Sequence, residues 1–130
     1  MVFLSLFLPV LTLAQEEYQE VNPNKESHGF SLIEKWAMYP GGEIGISNYI
    51  HRELKYPKSA IRDSIEGVVI VKYVVQTDGR VDEVEIIQSA HPILDEEAKR
   101  VIQVMDKWKP AIQGGTAVKL AYEQVFNFKL

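Results

Sequence analysis

Histidines, two acidic clusters, two glycine pairs and a scatter of serines are the residues whose types could carry chemistry in this chain. His28, His51 and His91 would suit a metal or a proton relay if two of them stood at i, i+4 on a helix or beside a cysteine. They fall instead in a polar leader, on a helix and in a loop before Pro92, and the chain has no cysteine. They read as solvated surface histidines. Asp82, Glu83 and Glu85 would suit a metal or an acid–base pair. They lack the Asp/Asn and Gly periodicity of a calcium loop and read as the wet face of a strand. Asp95, Glu96 and Glu97 read as acidic residues favoured by the dipole at a helix start. Gly41-Gly42 and Gly114-Gly115 form no GxGxxG or P-loop pattern and mark turns. Ser47, Ser59, Ser64 and Ser89 have no G-x-S-x-G context. Trp36 and Trp108 could line a pocket, but read as core. No catalytic residue, metal ligand or cofactor site emerges, and the chain is not expected to be an enzyme.

The bulk numbers are those of one ordinary globular protein. At 130 residues, 46% hydrophobic and 25% charged, the chain has the length and composition of one ordinary globular domain. A net charge of -4 leaves no basic footprint for nucleic acid. Val2 to Ala14 form an uncharged run that is too short for a spanning helix and suits the apolar region of an export leader. No basic residue precedes it, and the first is Lys25. The expected organisation is 1–14 as a leader or truncated hydrophobic anchor, 15–38 as a polar leader with a short extended arm, and 39–130 as the domain. A buried N-terminal strand or helix is the alternative for the first run.

Within 39–130 the periodicity names the elements. Ile46, Tyr49, Ile50 and Leu54 share one helical face, predicting a helix over 43–54 that Tyr56-Pro57 stops. A short helical turn follows at 58–63. Val68 to Val75 is β-branched and aromatic, as a covered strand requires. Asp78-Gly79 supplies the hairpin turn into a second, partly exposed strand over 81–88. Leu94, Ala98, Val101, Met105 and Trp108 predict an amphipathic helix over 92–108. The closing segment alternates cleanly. Val118, Leu120, Tyr122, Phe126, Phe128 and Leu130 point inward, with Gln124 and Val125 breaking the parity. The order is helix, strand, strand, helix, strand.

Such a small sheet has edges, and an edge offers unpaired N–H and C=O groups to a partner strand. The terminal strand, long, regular and free of proline, is the expected acceptor.

From Tyr56 to Leu130, a little more than half of the chain, the sequence resembles the TonB C-terminal domain. The resemblance rests on Tyr56-Pro57, Ala60, Gly67, Asp78-Gly79, Ser89, Leu94-Asp95, Ala98, Trp108, Pro110-Ala111, Gly115 and Phe128-Lys129-Leu130, in that order. Upstream, Tyr39-Pro40-Gly41-Gly42-Glu43 is similar to an extension in Bacteroidetes-type members. The resemblance implies an α+β domain with a small antiparallel three-stranded sheet packed against helices, in TonB/TolA C-terminal-like α-β-β-α-β order. It also implies a periplasmic location, inner-membrane association and a motor complex in that membrane. The implied partner is the TonB box of outer-membrane TonB-dependent receptors, which adds beside the last strand. That maps onto Val118, Lys119, Leu120, Ala121, Tyr122, Glu123, Gln124 and Val125, with Tyr56 and Pro57 in support. The alternative is a structural envelope module that self-associates, for example as a homodimer, through the same edge.

Overall fold

The computed structural model describes residues 2–12, by their backbone path, and residues 33–130. In chain order the elements are β1 (Val2–Thr12), β2 (Ile33–Lys35), α1 (Gly42–Glu53), α2 (Lys58–Arg62), β3 (Gly67–Val75), β4 (Val81–Gln88), α3 (Pro92–Gln103), β5 (Ala111–Gln113), β6 (Thr116–Val118) and β7 (Leu120–Phe128). Two antiparallel sheets result, one ordered β1-β7-β3-β4 and a small one ordered β2-β5-β6. The α+β class holds, with β7-β3-β4 as the expected three-stranded sheet and β1 added to it. Of the polar leader and arm expected over 15–38, residues 15–32 lie outside the described residues.

The arm that enters the domain is extended. Met38 and Lys109 exchange backbone hydrogen bonds of 2.9 and 2.7 Å. Gly41 then takes φ +84°, which glycine tolerates without penalty, and turns the chain into α1. Gly45 lies inside that helix for a different reason. A Cβ there would stand 1.9 Å from the Pro40 carbonyl oxygen, so only glycine lets the arm cross so closely. Ile46, Tyr49 and Ile50 are buried, as their spacing predicts, and Leu54 ends the helix in an extended conformation.

The β3–β4 hairpin also forms as expected. Gln76 N–H donates to the Arg80 carbonyl at 2.8 Å, and Gly79 sits at φ +87°. Gly79 has a second duty, because its carbonyl accepts the Trp108 N–H at 2.8 Å.

That bond holds Trp108 outside the helix that its spacing predicts. The apolar spacing predicts a helix to Trp108, yet α3 stops at Gln103. Leu94, Ala98, Val101 and Ile102 are buried along it. The chain then turns, and Trp108 is buried from an irregular segment tied to the hairpin. The start of α3 is capped. His91 Nδ1 accepts the Ile93 N–H at 3.2 Å, and the Asp95 carboxylate accepts the Ala90 N–H at 3.0 Å and the Ser89 hydroxyl. His91 is therefore a capping residue rather than a solvated one.

The core lies between the sheet and the helices. Val69, Val71, Tyr73 and Val75 of β3 are buried with Leu120, Tyr122, Phe126 and Phe128 of β7. Burial of each large apolar side chain is worth roughly 1.5–3 kcal/mol. Arg100 ties α3 to the end of α1. It donates to Glu53 Oε1 at 2.7 Å and to Glu97 at 2.8 and 3.0 Å. Burial raises the Glu97 carboxyl, but Arg100 and the Lys55 N–H outweigh it and leave Glu97 below its ordinary value.

The sequence pattern did not reveal the small sheet. Its strands are three residues each, and Glu34 steadies its turn by accepting the Gly115 N–H at 3.0 Å.

Candidate strand-acceptor edge

β7 is built from alternating residues, and the alternation runs without a break. Leu120, Tyr122, Gln124, Phe126 and Phe128 are all buried, while Glu123, Val125 and Asn127 are half-buried. The expected parity break at Gln124 and Val125 is therefore absent. Gln124 keeps its inward position, fully buried among apolar neighbours, and its side-chain amide donates to the Val125 carbonyl at 3.3 Å. Ala121, on the opposite parity, is buried as well.

Tyr122 anchors the strand from below. Its ring stacks on Tyr73 at 6.1 Å and lies 5.4 Å from the Trp108 ring. Its hydroxyl accepts the Ala37 N–H at 3.0 Å, pinning the entering arm to the sheet. Burial pushes the Tyr122 phenol up to about 12, against a small lowering by the Ala37 backbone bond. Tyr73 beside it is also raised, chiefly by burial. Trp36 and Met38, about half exposed at 48% and 54%, rim a cleft over Tyr39, Trp108 and Tyr122. The two tryptophans thus part ways: Trp108 is core, and Trp36 is not.

Along its inner side β7 pairs with β3 in one unbroken antiparallel register, from Val75↔Leu120 to Gly67↔Phe128. Along its outer side it pairs antiparallel with β1, from Thr12↔Ala121 to Val2↔Phe128, with irregularities between Leu4 and Leu6 and between Leu8 and Thr12. The sequence predicts an open edge on the terminal strand. In the structure β7 is internal, because the apolar N-terminal run is extended and occupies that side.

The site residues expected from the sequence are partly gathered. Leu120, Ala121, Tyr122, Glu123, Gln124 and Val125 lie consecutively on β7. Val118 closes β6 opposite Ala111, and Lys119 joins β6 to β7. Tyr56 meets the strand at its other end, with its ring edge-on to Phe128 at 5.5 Å and its hydroxyl donating to the Ile65 carbonyl. Pro57 precedes α2.

The other flank of the sheet is β4, beside which no further strand lies among the described residues. Asp82, Glu83 and Glu85 are exposed on it. Glu83 takes φ +50°, unusual for a residue with a side chain, and the β3–β4 register shifts twice. Charge and irregularity are what blunt an edge against pairing. Among the described residues no group of His, Cys, Asp and Glu could hold a metal ion. His51 is exposed on α1, and His28 lies outside the described residues. No helix among the described residues is long and apolar enough to cross a membrane.

Comparison with known proteins gives this geometry a context. The family model described as Gram-negative bacterial TonB protein C-terminal matches residues 52–130. Protein TonB of Pseudomonas aeruginosa is 33% identical over 77 residues, which are 58% of this chain and 22% of that protein. The solution structure of the Helicobacter pylori TonB C-terminal domain (residues 179–285) is 23% identical with a TM-score of 0.49, covering 67% of this chain and 80% of that one.

Proposed function

Because the chain belongs to the family of Gram-negative bacterial TonB C-terminal domains, whose members are adaptor modules and not enzymes, we propose that it binds the TonB box of outer-membrane receptors by strand addition along the outer side of β7. The place of action is the periplasm. The process served is energy-coupled transport across the outer membrane, driven from a motor complex in the inner membrane. Leu120 to Val125 supply the backbone groups, Val118 and Lys119 lead into the strand, and Tyr56 with Pro57 supports its far end through Phe128. The Tyr39–Glu43 segment, similar to an extension in Bacteroidetes-type members, supports assigning the chain to that branch as part of this proposal.

One observation supports this reading above the others: the outer side of β7 already carries an extended antiparallel segment. The outer side of β7 thus has room for an extended antiparallel segment, which supports strand addition there. Each added backbone hydrogen bond stabilises by about 0.5–1.5 kcal/mol net, so a short box would bind modestly and release readily. The same pairing also favours a second reading, in which β1 of one copy lies on β7 of another and the protein self-associates as a homodimer.

The test is titration of receptor N-terminal peptides into the chain, followed by backbone amide shifts, with the sedimentation of the free protein measured alongside. Shifts concentrated in Leu120–Val125 are expected. The absence of shifts with every box peptide, also in a variant whose β1 has been disrupted by proline, would sink the box-binding reading. A dimer held through β7 would favour the second.

A further inference from the structure

We infer that β1 is a tethered, displaceable cover of the β7 acceptor side, so that any external strand must compete with the chain's own Val2–Thr12. This rests on the strand-acceptor reading given above and adds to it a mode of regulation.

The two ladders of β7 differ in quality. The β3 ladder runs over the whole strand without a shift. The β1 ladder comes in pieces: Val2 to Leu4, then Leu6 to Leu8, then Thr12 alone. The second interruption contains Pro9, which has no N–H to give and is tolerated only in outer strands or at irregularities. A ladder broken at these points yields first when the strand is challenged.

The chemistry of the cover is also that of a strand rather than of a guard. Val2–Thr12 carries no charged residue, whereas β4 on the opposite flank is held open by three acids. An uncharged, apolar, antiparallel strand is therefore the partner class that the β7 side takes. The cover pairs with Ala121, Glu123, Gln124 and Val125, four of the positions from Leu120 to Val125 that the proposed partner requires. It is joined to the domain through residues 13–32 of the same chain, so it competes as an intramolecular ligand. Such tethering corresponds to an effective concentration near the millimolar range, which should weaken an external strand roughly 10–100-fold.

The experiment uses the full chain and, as probe, a labelled peptide of residues 2–12 with a solubilising lysine tail. Three proteins are compared: the unaltered chain, Leu4→Pro/Phe7→Pro, and Leu8→Cys/Glu123→Cys. Leu8 and Glu123 are directly paired, at a Cα separation of roughly 4.5–5.5 Å typical of antiparallel partners, and so can form a disulfide in a chain that has no other cysteine. The probe is expected to bind the proline variant at least tenfold more tightly than the unaltered chain. It should bind the oxidised cysteine variant at least tenfold more weakly than the same protein after reduction. Amide exchange should show every second β7 amide losing protection in the proline variant. Equal probe affinity in the oxidised and reduced cysteine variant overturns the inference, even if the proline variant fails to fold. Unchanged β7 protection in a folded proline variant overturns it too. Because the probe is the chain's own segment, a receptor box that fails where the probe succeeds rejects the transport reading and leaves the cover standing.

Discussion

β4 and β7 both flank β3, yet the chain treats their outer sides in opposite ways. β4 leaves its side open and spoils it for pairing, with exposed Asp82, Glu83 and Glu85 and a left-handed Glu83. β7 keeps a regular backbone, buries five consecutive inward positions from Leu120 to Phe128 and has its outer side covered by another strand. One flank is protected by chemistry and the other by occupancy. Protection by charge is permanent, whereas protection by a strand can be exchanged. A protein meant to accept a strand would keep only the second kind at its acceptor side.

Several changes would break or sharpen that contrast. Tyr122→Ala removes the ring stacked on Tyr73 and Trp108 and should cost about 3–5 kcal/mol in urea unfolding. Ile87→Ala on the exposed β4 should stay within about 0.5 kcal/mol. Comparable losses in the two would end the distinction between an anchored and a peripheral flank. Raising the pH attacks the same anchor. The phenol of Tyr122 is held up to about 12 by burial, so above roughly pH 10 the unfolded chain releases its proton while the folded one keeps it. Stability should therefore be complete below pH 10 and fall as the pH rises toward 12, by at most about 3 kcal/mol for this residue. Tyr122→Phe should flatten that part of an alkaline unfolding profile. Gly79→Ala forces a Cβ to within 2.0 Å of the Trp108 carbonyl oxygen at φ +87°. A loss of about 2 kcal/mol or more is expected in thermal or urea unfolding, and a neutral result would show that the β4 hairpin is not held to Trp108. The smallest effect on stability should come from Asp82→Asn/Glu83→Gln/Glu85→Gln, within about 0.5 kcal/mol. Sedimentation should nevertheless reveal association through the unguarded β4 side, and a strictly monomeric variant would remove charge from the explanation.

How much of this could be read from the sequence depends on how local the cause is. The β3–β4 hairpin, the buried face of α1 and the first three turns of α3 follow from spacing and from Asp78-Gly79, because neighbours in sequence decide them. The end of α3 does not. Met105 and Trp108 continue the helical spacing, but the Trp108 N–H donates to the carbonyl of Gly79, a residue far along the chain, and that bond lies outside any helix. Gln124 misled for a related reason. A polar side chain at an inward position looks like a change of face, although the backbone parity continues beneath it. The alternation of β7 identifies its buried face and says nothing about which strand lies beside it. Val2–Thr12 is apolar without a clean period, so leader, helix and strand share one signature there. The three-residue strands of the small sheet are too short to have a period at all.

The unbroken β3–β7 ladder also bears on how this domain carries a load. Tension applied along β7, by whatever strand lies on its outer side, reaches β3 in shear, with the hydrogen bonds from Val75↔Leu120 to Gly67↔Phe128 strained together. A pull across the strand would meet them one at a time. The domain is accordingly stiff lengthwise along its last strand and weak sideways, and a strand held there could be tugged without the sheet coming apart.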